Sequence, residues 1–392
     1  MSKDVYIIGS KGIPARYGGF ETFVEKLTGQ KVSSNINYHV ASMRNNSELS
    51  KNNDRFQYNG ADVFTIDVPN VGAAKAIIYD LKALNFAILD AEKNSVKEPI
   101  FYILASRIGP FIKGFKKRIT AIGGTLLLNP DGNEWKRAKW SAPVRKYWKM
   151  SESGMVAASD LIIADNIKIE EYIHNEYPKK NLETKFIAYG TDVTPTNLVP
   201  ADVEVKSWYS EHGVKEHEYY LVVGRFVPEN NYETMIREFI SSKTTKQLVI
   251  VTNVEKNKFY KNLNKKTSFE LDSRINFVGT VYNQELLKYI RENAFAYFHG
   301  HEVGGTNPSL LEAMATTKLN MLVDVNFNRS VAENSAVYWT KDKGELASLI
   351  DRVEQMDEIE YSNFEHTAKK RISGYYTWEH IVSLYEEVFL ND

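Results

Sequence analysis

The stretch Ala296-Tyr297-Phe298-His299-Gly300-His301-Glu302-Val303-Gly304-Gly305-Thr306-Asn307-Pro308-Ser309-Leu310-Leu311-Glu312-Ala313-Met314 sets the frame for reading the whole chain. Its opening apolar run predicts a short buried strand over Ala296–His299. Asn307 is a good N-cap and Pro308 suits the first helical position, so a helix is predicted to begin there. Gly304 and Gly305 precede it. Strand, glycine loop and helix in this order offer an anion free backbone donors, the positive end of a helix dipole and no obstructing side chains. Glu312 falls just over a turn into the helix, where a carboxylate can accept hydrogen bonds from ribose hydroxyls. A glycine turn, a capped helix and a solvated glutamate would be written with the same letters. Their coincidence directly after a strand favours the anion site.

The alternation of strand and helix extends outward from this stretch. Further strands are predicted over residues 219–224, 247–252, 276–279 and 320–323 of the second half. In the first half they fall over 5–9, 38–43, 62–66, 100–105, 125–129, 161–164 and 186–188. Helical spacing separates them, as in Phe20, Phe23, Val24 and Leu27, or over residues 73–89. Residues 191–205, with Pro195 and Pro200, break the rhythm and read as a linker. The expected class is α/β, with two doubly wound, Rossmann-like domains.

Composition narrows the function. A chain of 392 residues suits two to three domains, and 43% apolar with 25% charged residues excludes wholesale disorder. Lys plus Arg (49) balance Asp plus Glu (50), so the basic excess of a dedicated nucleic-acid binder is missing and no nucleic-acid partner is expected. Without any cysteine, disulfides, thiolate metal sites and cysteine nucleophiles are excluded. The first apolar segment is too short for a signal peptide, and no run approaches the ~18 apolar residues of a membrane span, so a cytoplasmic location is expected.

Ligands of doubly wound sheets bind beyond the carboxyl ends of strands. The loop Gly9-Ser10-Lys11-Gly12-Ile13-Pro14-Ala15-Arg16-Tyr17-Gly18-Gly19-Phe20-Glu21 lacks the G-x-G-x-x-G fingerprint, and Ala41-Ser42-Met43-Arg44 supplies no acid for an adenosine ribose. Both speak against a nicotinamide enzyme. Gly18 and Gly19, ahead of a helix, either admit a phosphate or sugar or form a tight turn. Gly224-Arg225-Phe226-Val227-Pro228-Glu229-Asn230-Asn231 follows a strand, and Arg225 can turn its planar fork to a diphosphate. There is no Asp-x-Asp, and the eight histidines form no metal-ligand pattern; neither metal nor cofactor is expected. Asp131 precedes Gly132 and either marks a turn or serves a substrate hydroxyl.

Four of these motifs together resemble family 4 of the retaining glycosyltransferases, which have the two-domain GT-B fold, and more narrowly the bacterial rhamnosyltransferases of surface polysaccharides. They are residues 9–23, Asn129-Pro130-Asp131-Gly132-Asn133-Glu134-Trp135-Lys136-Arg137, residues 224–231 and residues 303–314. The resemblance implies an acceptor-binding domain over residues 1–195 and a donor-binding domain over 210–374, facing across a cleft. A terminal helix near 375–392 would pack back on the first domain. It further implies a dTDP-β-L-rhamnose donor, a lipid-diphosphate-linked sugar (GlcNAc or Glc) as acceptor, and front-face displacement that retains configuration. Gly18, Gly19, Arg225, Asn230, Gly304, Gly305, Thr306, Asn307 and Glu312 would hold the donor. Asp131, Asp165, Tyr189 or Glu302 would serve the reacting centre. Asp165 and Tyr189, each ending a short strand, are expected to face the cleft. Two departures stand out: Gly304 holds the place of the first of two glutamates seven residues apart, with Glu302 as its candidate substitute, and Asn230 replaces a lysine.

Residues 113–149 carry ten basic side chains with Trp135, Trp140, Tyr147 and Trp148 interleaved. Such a composition suits the anionic inner face of the plasma membrane, and equally a solvated face whose tryptophans pack inward. Two other functions share the fold: a nucleotide-sugar epimerase or hydrolase, and a non-catalytic scaffold.

Overall fold

A computed structural model describes residues 2–16, 18–136, 140–178 and 181–391. Tyr17 of the first glycine loop, and Arg137 and Lys139 of the basic segment, lie outside the described residues. The chain divides into two compact units, Met1–Gly190 with Trp378–Asp392, and Thr191–Thr377.

In the first unit, the described residues form the strands β1 (Lys3–Ile8), β2 (Ile36–Met43), β3 (Arg55–Tyr58), β4 (Ala61–Ile66), β5 (Ile100–Leu104), β6 (Thr125–Asn129), β7 (Leu161–Ala164) and β8 (Thr184–Phe186). Their spatial order is β3-β4-β2-β1-β5-β6-β7-β8. Only β3 runs antiparallel to its neighbour, through the turn Asn59-Gly60. Every residue of β5 is buried, which is why its sequence is an unbroken apolar run: helices cover both faces of a parallel sheet. The terminal helix Trp378–Asn391 belongs to this unit. Its Glu386 accepts hydrogen bonds from the Val32 and Ser33 backbone N–H groups, both at 2.8 Å, and Tyr385 meets the Tyr102 hydroxyl at 3.1 Å.

The second unit holds β9 (Tyr219–Val223), β10 (Gln247–Val251), β11 (Ile275–Gly279), β12 (Ala296–His299), β13 (Asn320–Val323) and β14 (Val337–Trp339), in the parallel order β11-β10-β9-β12-β13-β14. Two cores sandwich the sheet. Tyr219 and Leu221 enter one with Trp208 and Tyr297, while Tyr220 and Val222 enter the other with Phe239, Phe298 and Trp339. The pleat sends successive residues of β9 to opposite faces, so each face needs its own apolar set.

Three details differ from the sequence reading. The eighth strand is Thr184–Phe186, two residues ahead of the expected span; Ile187 and Ala188 are buried but lie past the strand. Residues 191–205 are not a free linker. Thr196 bonds Glu292 and Glu285, Asn197 bonds Glu285, and a helix starts at Val203. Short polar β3 and three-residue β14 were not anticipated.

Strand order reverses between β1 and β5 in one unit and between β9 and β12 in the other. Ligands of such sheets sit at this reversal, beyond the carboxyl ends. The loops emerging there are 9–18 and 105–111 in the first unit, and 224–231 and 300–307 in the second.

Candidate functional site

In the second unit the two loops at the reversal are tied to each other. The Asn231 side chain donates to the Gly300 carbonyl at 2.8 Å, and His301 Nδ1 meets Asn230 Oδ1 at 2.7 Å. Phe226 packs between Tyr232, Phe259 and Phe277 and anchors the first loop. Arg225, beside it, is exposed and makes no ion pair among the described residues. Its guanidinium is available to an anion.

The helix Pro308–Thr316 begins as its cap chemistry dictates: Asn307 accepts from the Ser309 N–H at 2.9 Å. Ser309 and Tyr297 hydroxyls both donate to the Val223 carbonyl, each at 3.1 Å, fastening the helix start to the end of β9. Gly304 has φ +122°, a conformation that side-chain-bearing residues rarely adopt. A glutamate at this position would be strained in the backbone conformation that Gly304 adopts. Thr306 is buried. Glu302 lies on the same loop and pairs with Lys341 at 2.6 Å. Asn230 uses its amide N–H on the Arg225 carbonyl at 2.7 Å. Glu312 is paired with Arg291, a guanidinium whose side chain is 4% exposed against 41% for the carboxylate. His299, ending β12, is fully buried; burial first, then the His301 charge, pushes its pKa down to about 3. It is neutral at physiological pH.

In the first unit Glu21 is buried and accepts the Lys11 N–H at 2.7 Å, with its other oxygen against Gly18. Gly18 and Gly19 lead into the helix Gly19–Gly29. Arg107 spans the reversal, bonding the Gly9 carbonyl at 2.8 Å and the buried Asp80 at 3.0 Å. Asp131 adopts φ +58° and accepts the Gly132 N–H at 2.9 Å, so the turn is real. It also lines a small pocket with Ser106, Glu134, Trp135, Trp148 and Glu152. Both readings of Asp131 are thus compatible with one geometry.

Asp165 and Tyr189 do not stand open at strand ends. They are 4% and 6% exposed, Tyr189 packs edge-on against Phe23, and burial followed by the Asp165 charge drives the tyrosine pKa well up. The end-of-strand rule gives their place in the chain and does not foresee this burial. The tryptophans of the basic segment are half-buried with partners. Trp135 donates to Tyr172, Trp140 to Glu134, and Lys149 lies over the Trp135 ring at 4.5 Å. Lys116 and Arg118 are in ion pairs with Asp160 and Glu92.

Sequence reasoning missed Arg291, Tyr297, Arg107 and the contact of His301 with Asn230. Each works through a partner far away in the chain, and no local pattern announces it.

Residues 206–371 match the family described as Glycosyl transferases group 1, and residues 2–192 match a Domain of unknown function (DUF1972). No curated protein shows significant similarity to the chain. Among solved structures, sucrose-phosphate synthase (tll1590) from Thermosynechococcus elongatus is 16% identical, with TM-score 0.79 and 100% of both chains covered. Anabaena Alr3699/HepE in complex with UDP and glucose is 13% identical, with TM-score 0.73 and full coverage of both chains. The α,α-trehalose 6-phosphate synthase from Burkholderia multivorans is 10% identical, with TM-score 0.74 over 100% of this chain and 97% of its own. The fold is that of the GT-B type, and the match to Glycosyl transferases group 1 lies within the second unit.

Proposed function

We propose that the protein transfers L-rhamnose from dTDP-β-L-rhamnose to a lipid-diphosphate-linked sugar, with retention of configuration. The observation that carries the reading is the pair of clasped loops at the strand reversal of the second unit. The clasp ties the loop that carries Arg225 to the loop that leads into the helix bearing Glu312. Arg225 and the amides of residues 304–307 suit a departing diphosphate, and Glu312 suits the ribose. A fold relative that holds UDP and glucose supports a nucleotide sugar as donor. The rhamnosyl choice rests on the motif resemblance.

In this reading Asn230 shapes the donor surface, and Glu302 takes the place vacated at residue 304. Asp131 orients the acceptor hydroxyl. Asp165 and Tyr189, being buried, position their surroundings and do not touch substrate. The first unit binds the acceptor and the second the donor. Nucleotide release from dTDP-L-rhamnose, UDP-glucose and GDP-mannose, with and without a synthetic lipid-diphosphate-sugar, tests this. Acceptor-dependent release with preference for dTDP-L-rhamnose is expected. Release without acceptor would point to an epimerase or hydrolase, and no release from any donor to a scaffold.

A peripheral site on the inner membrane face belongs to the same proposal. No helix among the described residues is long and apolar enough to cross a membrane. Phe111, Val144 and Met150 are exposed on two helical segments that meet where Gly109 touches Ser151 and Gly154. Lys113, Lys117, Arg145 and Lys146 are exposed on the same segments. Binding to vesicles with anionic lipid should weaken with salt and fall when these four become Glu. Equal binding to neutral vesicles, or none to either, would dispose of the docking idea.

A further inference from the structure

We infer that Glu152 binds a second hydroxyl of the acceptor sugar, one that is not attacked, in the small pocket at the carboxyl ends of β5 and β6. The inference rests on the proposed reading that the first unit binds the acceptor, and it says which end of that molecule lies here. Asp131, Glu134 and Glu152 place three carboxylates on the pocket, together with the tryptophans Trp135 and Trp148. Carboxylates repel a diphosphate and accept hydrogen bonds from hydroxyls, so the pocket suits the neutral sugar end. Its free volume is about 10 Å³, the space of one water-sized group. A sugar ring stays outside, and a single hydroxyl enters.

The walls are fixed by bonds within the first unit. The Ala105 N–H donates to the Asn129 carbonyl at 2.9 Å, so the two chains stay joined as they leave the sheet. Ala105, Asp131 and Asn133 have φ of +75°, +58° and +47°, and the chain turns sharply at each. The Ser151 hydroxyl donates to the Ser106 carbonyl at 2.6 Å and accepts the Gly109 N–H at 2.9 Å. This fastens the loop after β5 to the helix Ala142–Ala158, which carries Trp148 and Glu152.

Hydrogen bonding decides which oxygens are left for a ligand. Glu152 is 4% exposed. The Tyr172 and Tyr177 hydroxyls donate to its Oε1, each at 2.6 Å, and Lys149 reaches the same atom at 3.4 Å. Its Oε2 has no partner among the described residues. Asp131 uses Oδ1 on the Gly132 N–H, and its Oδ2 likewise has none. One hydroxyl carries one hydrogen and can satisfy only one of these two oxygens, so two hydroxyls are needed. Asp131, the more exposed of the pair, takes the attacked one, and buried Glu152 takes the other. Trp135 donates its ring N–H to Tyr172 at 3.0 Å, and the same tyrosine holds Glu152. Apolar wall and hydrogen-bond acceptor are thereby set in one geometry before a sugar arrives. A buried carboxylate placed in this way rejects an analogue that lacks the matching hydroxyl.

Transfer from dTDP-L-rhamnose to a synthetic lipid-diphosphate-GlcNAc and its monodeoxy analogues tests this on the full chain. The analogue lacking the attacked hydroxyl gives no product, which sets that position aside. Among the others, one should raise the acceptor KM about ten- to hundredfold, the loss of a hydrogen bond to a charged group, with kcat changed less than about threefold. Glu152→Gln keeps an oxygen for the two tyrosines but loses the charge. It should shrink that gap to about threefold while the other analogues keep their ratios. The analogue series on the unmodified protein decides by itself if Glu152→Gln does not fold. KM values within about twofold of the parent for all these analogues, or an unchanged gap in Glu152→Gln, would overturn the inference and leave the acceptor reading standing. If the parent acceptor receives no sugar at all, that reading falls and this one with it.

Discussion

The Arg291–Glu312 pair allows an asymmetric prediction. Its guanidinium is 4% exposed and its carboxylate 41%. Removing Glu312 leaves a buried cation without its counter-charge, and the guanidinium Nε already lacks a partner. A broken buried pair costs about 3–5 kcal/mol, so Glu312→Ala should destabilise the second unit by about 3 kcal/mol. Arg291→Met removes the buried charge itself and fills the space with a flexible apolar chain. The carboxylate left behind reaches water, and the loss should stay near about 1 kcal/mol. A gap of about 2 kcal/mol changes the opening equilibrium by roughly thirtyfold. The double variant should be no less stable than Arg291→Met, because the orphaned charge is gone. A chain of two units need not unfold in one step, so amide hydrogen exchange of Gln284–Glu292 and Pro308–Thr316 is the suitable assay. Both single variants should also raise KM for the donor, since Glu312 is lost in one and loses its orientation in the other. Equal destabilisation, or greater loss from Arg291→Met, would refute the reasoning.

Three further outcomes are expected. Arg225→Ala should lower turnover by about 2.7–4 kcal/mol of lost leaving-group stabilisation while excess EDTA leaves activity unchanged; abolition by EDTA and rescue by Mg²⁺ would count against it. Burial alone would lower the His39 pKa, but its bonds to Asp4 (2.8 Å) and Asp62 (3.1 Å) prevail and raise it above 6.5. The stabilisation is full below about pH 6.5 and is lost as pH rises through the higher folded value, so the urea midpoint should fall over that window and His39→Gln should flatten the slope. Burial works against Asp62 too, yet bonds from His39 and Arg55 bring it to about 2; its share of stability is lost only as pH falls from about 4 through that value. Glu386→Ala should cost about 1–2 kcal/mol, at the lower end for two unpaired N–H groups because Val32 lies at the surface, and should expose Trp378–Asn391 to proteolysis.

Legibility in the sequence followed the range of the interactions. Asn307 and Pro308 announced a helix start because capping involves residues next to each other, and the helix begins at Pro308. The unbroken apolar letters of Ile100–Leu104 announced a strand covered on both sides. Arg55–Tyr58 escaped notice because it is polar and sits at the sheet edge, although Asn59-Gly60 is a hairpin signal that could have revealed it. Val337–Trp339 is too short to show a period. In the site, the loops were readable from glycines and caps, but their fastening was not. His301 and Asn230 are 71 residues apart, and Arg291 and Glu312 are 21 apart. Asp165 and Tyr189 are buried, because the end-of-strand rule gives a position along the chain and not exposure; Tyr189 packs on Phe23.

The configuration of the product tests the central claim most directly. The protein is incubated with dTDP-β-L-rhamnose and a synthetic lipid-diphosphate-sugar, and the anomeric coupling of the new bond is read by NMR. The account predicts a single rhamnosyl product with the β configuration kept and dTDP released in equal amount. An α-linked product, or dTDP released with no sugar joined to the acceptor, would contradict it.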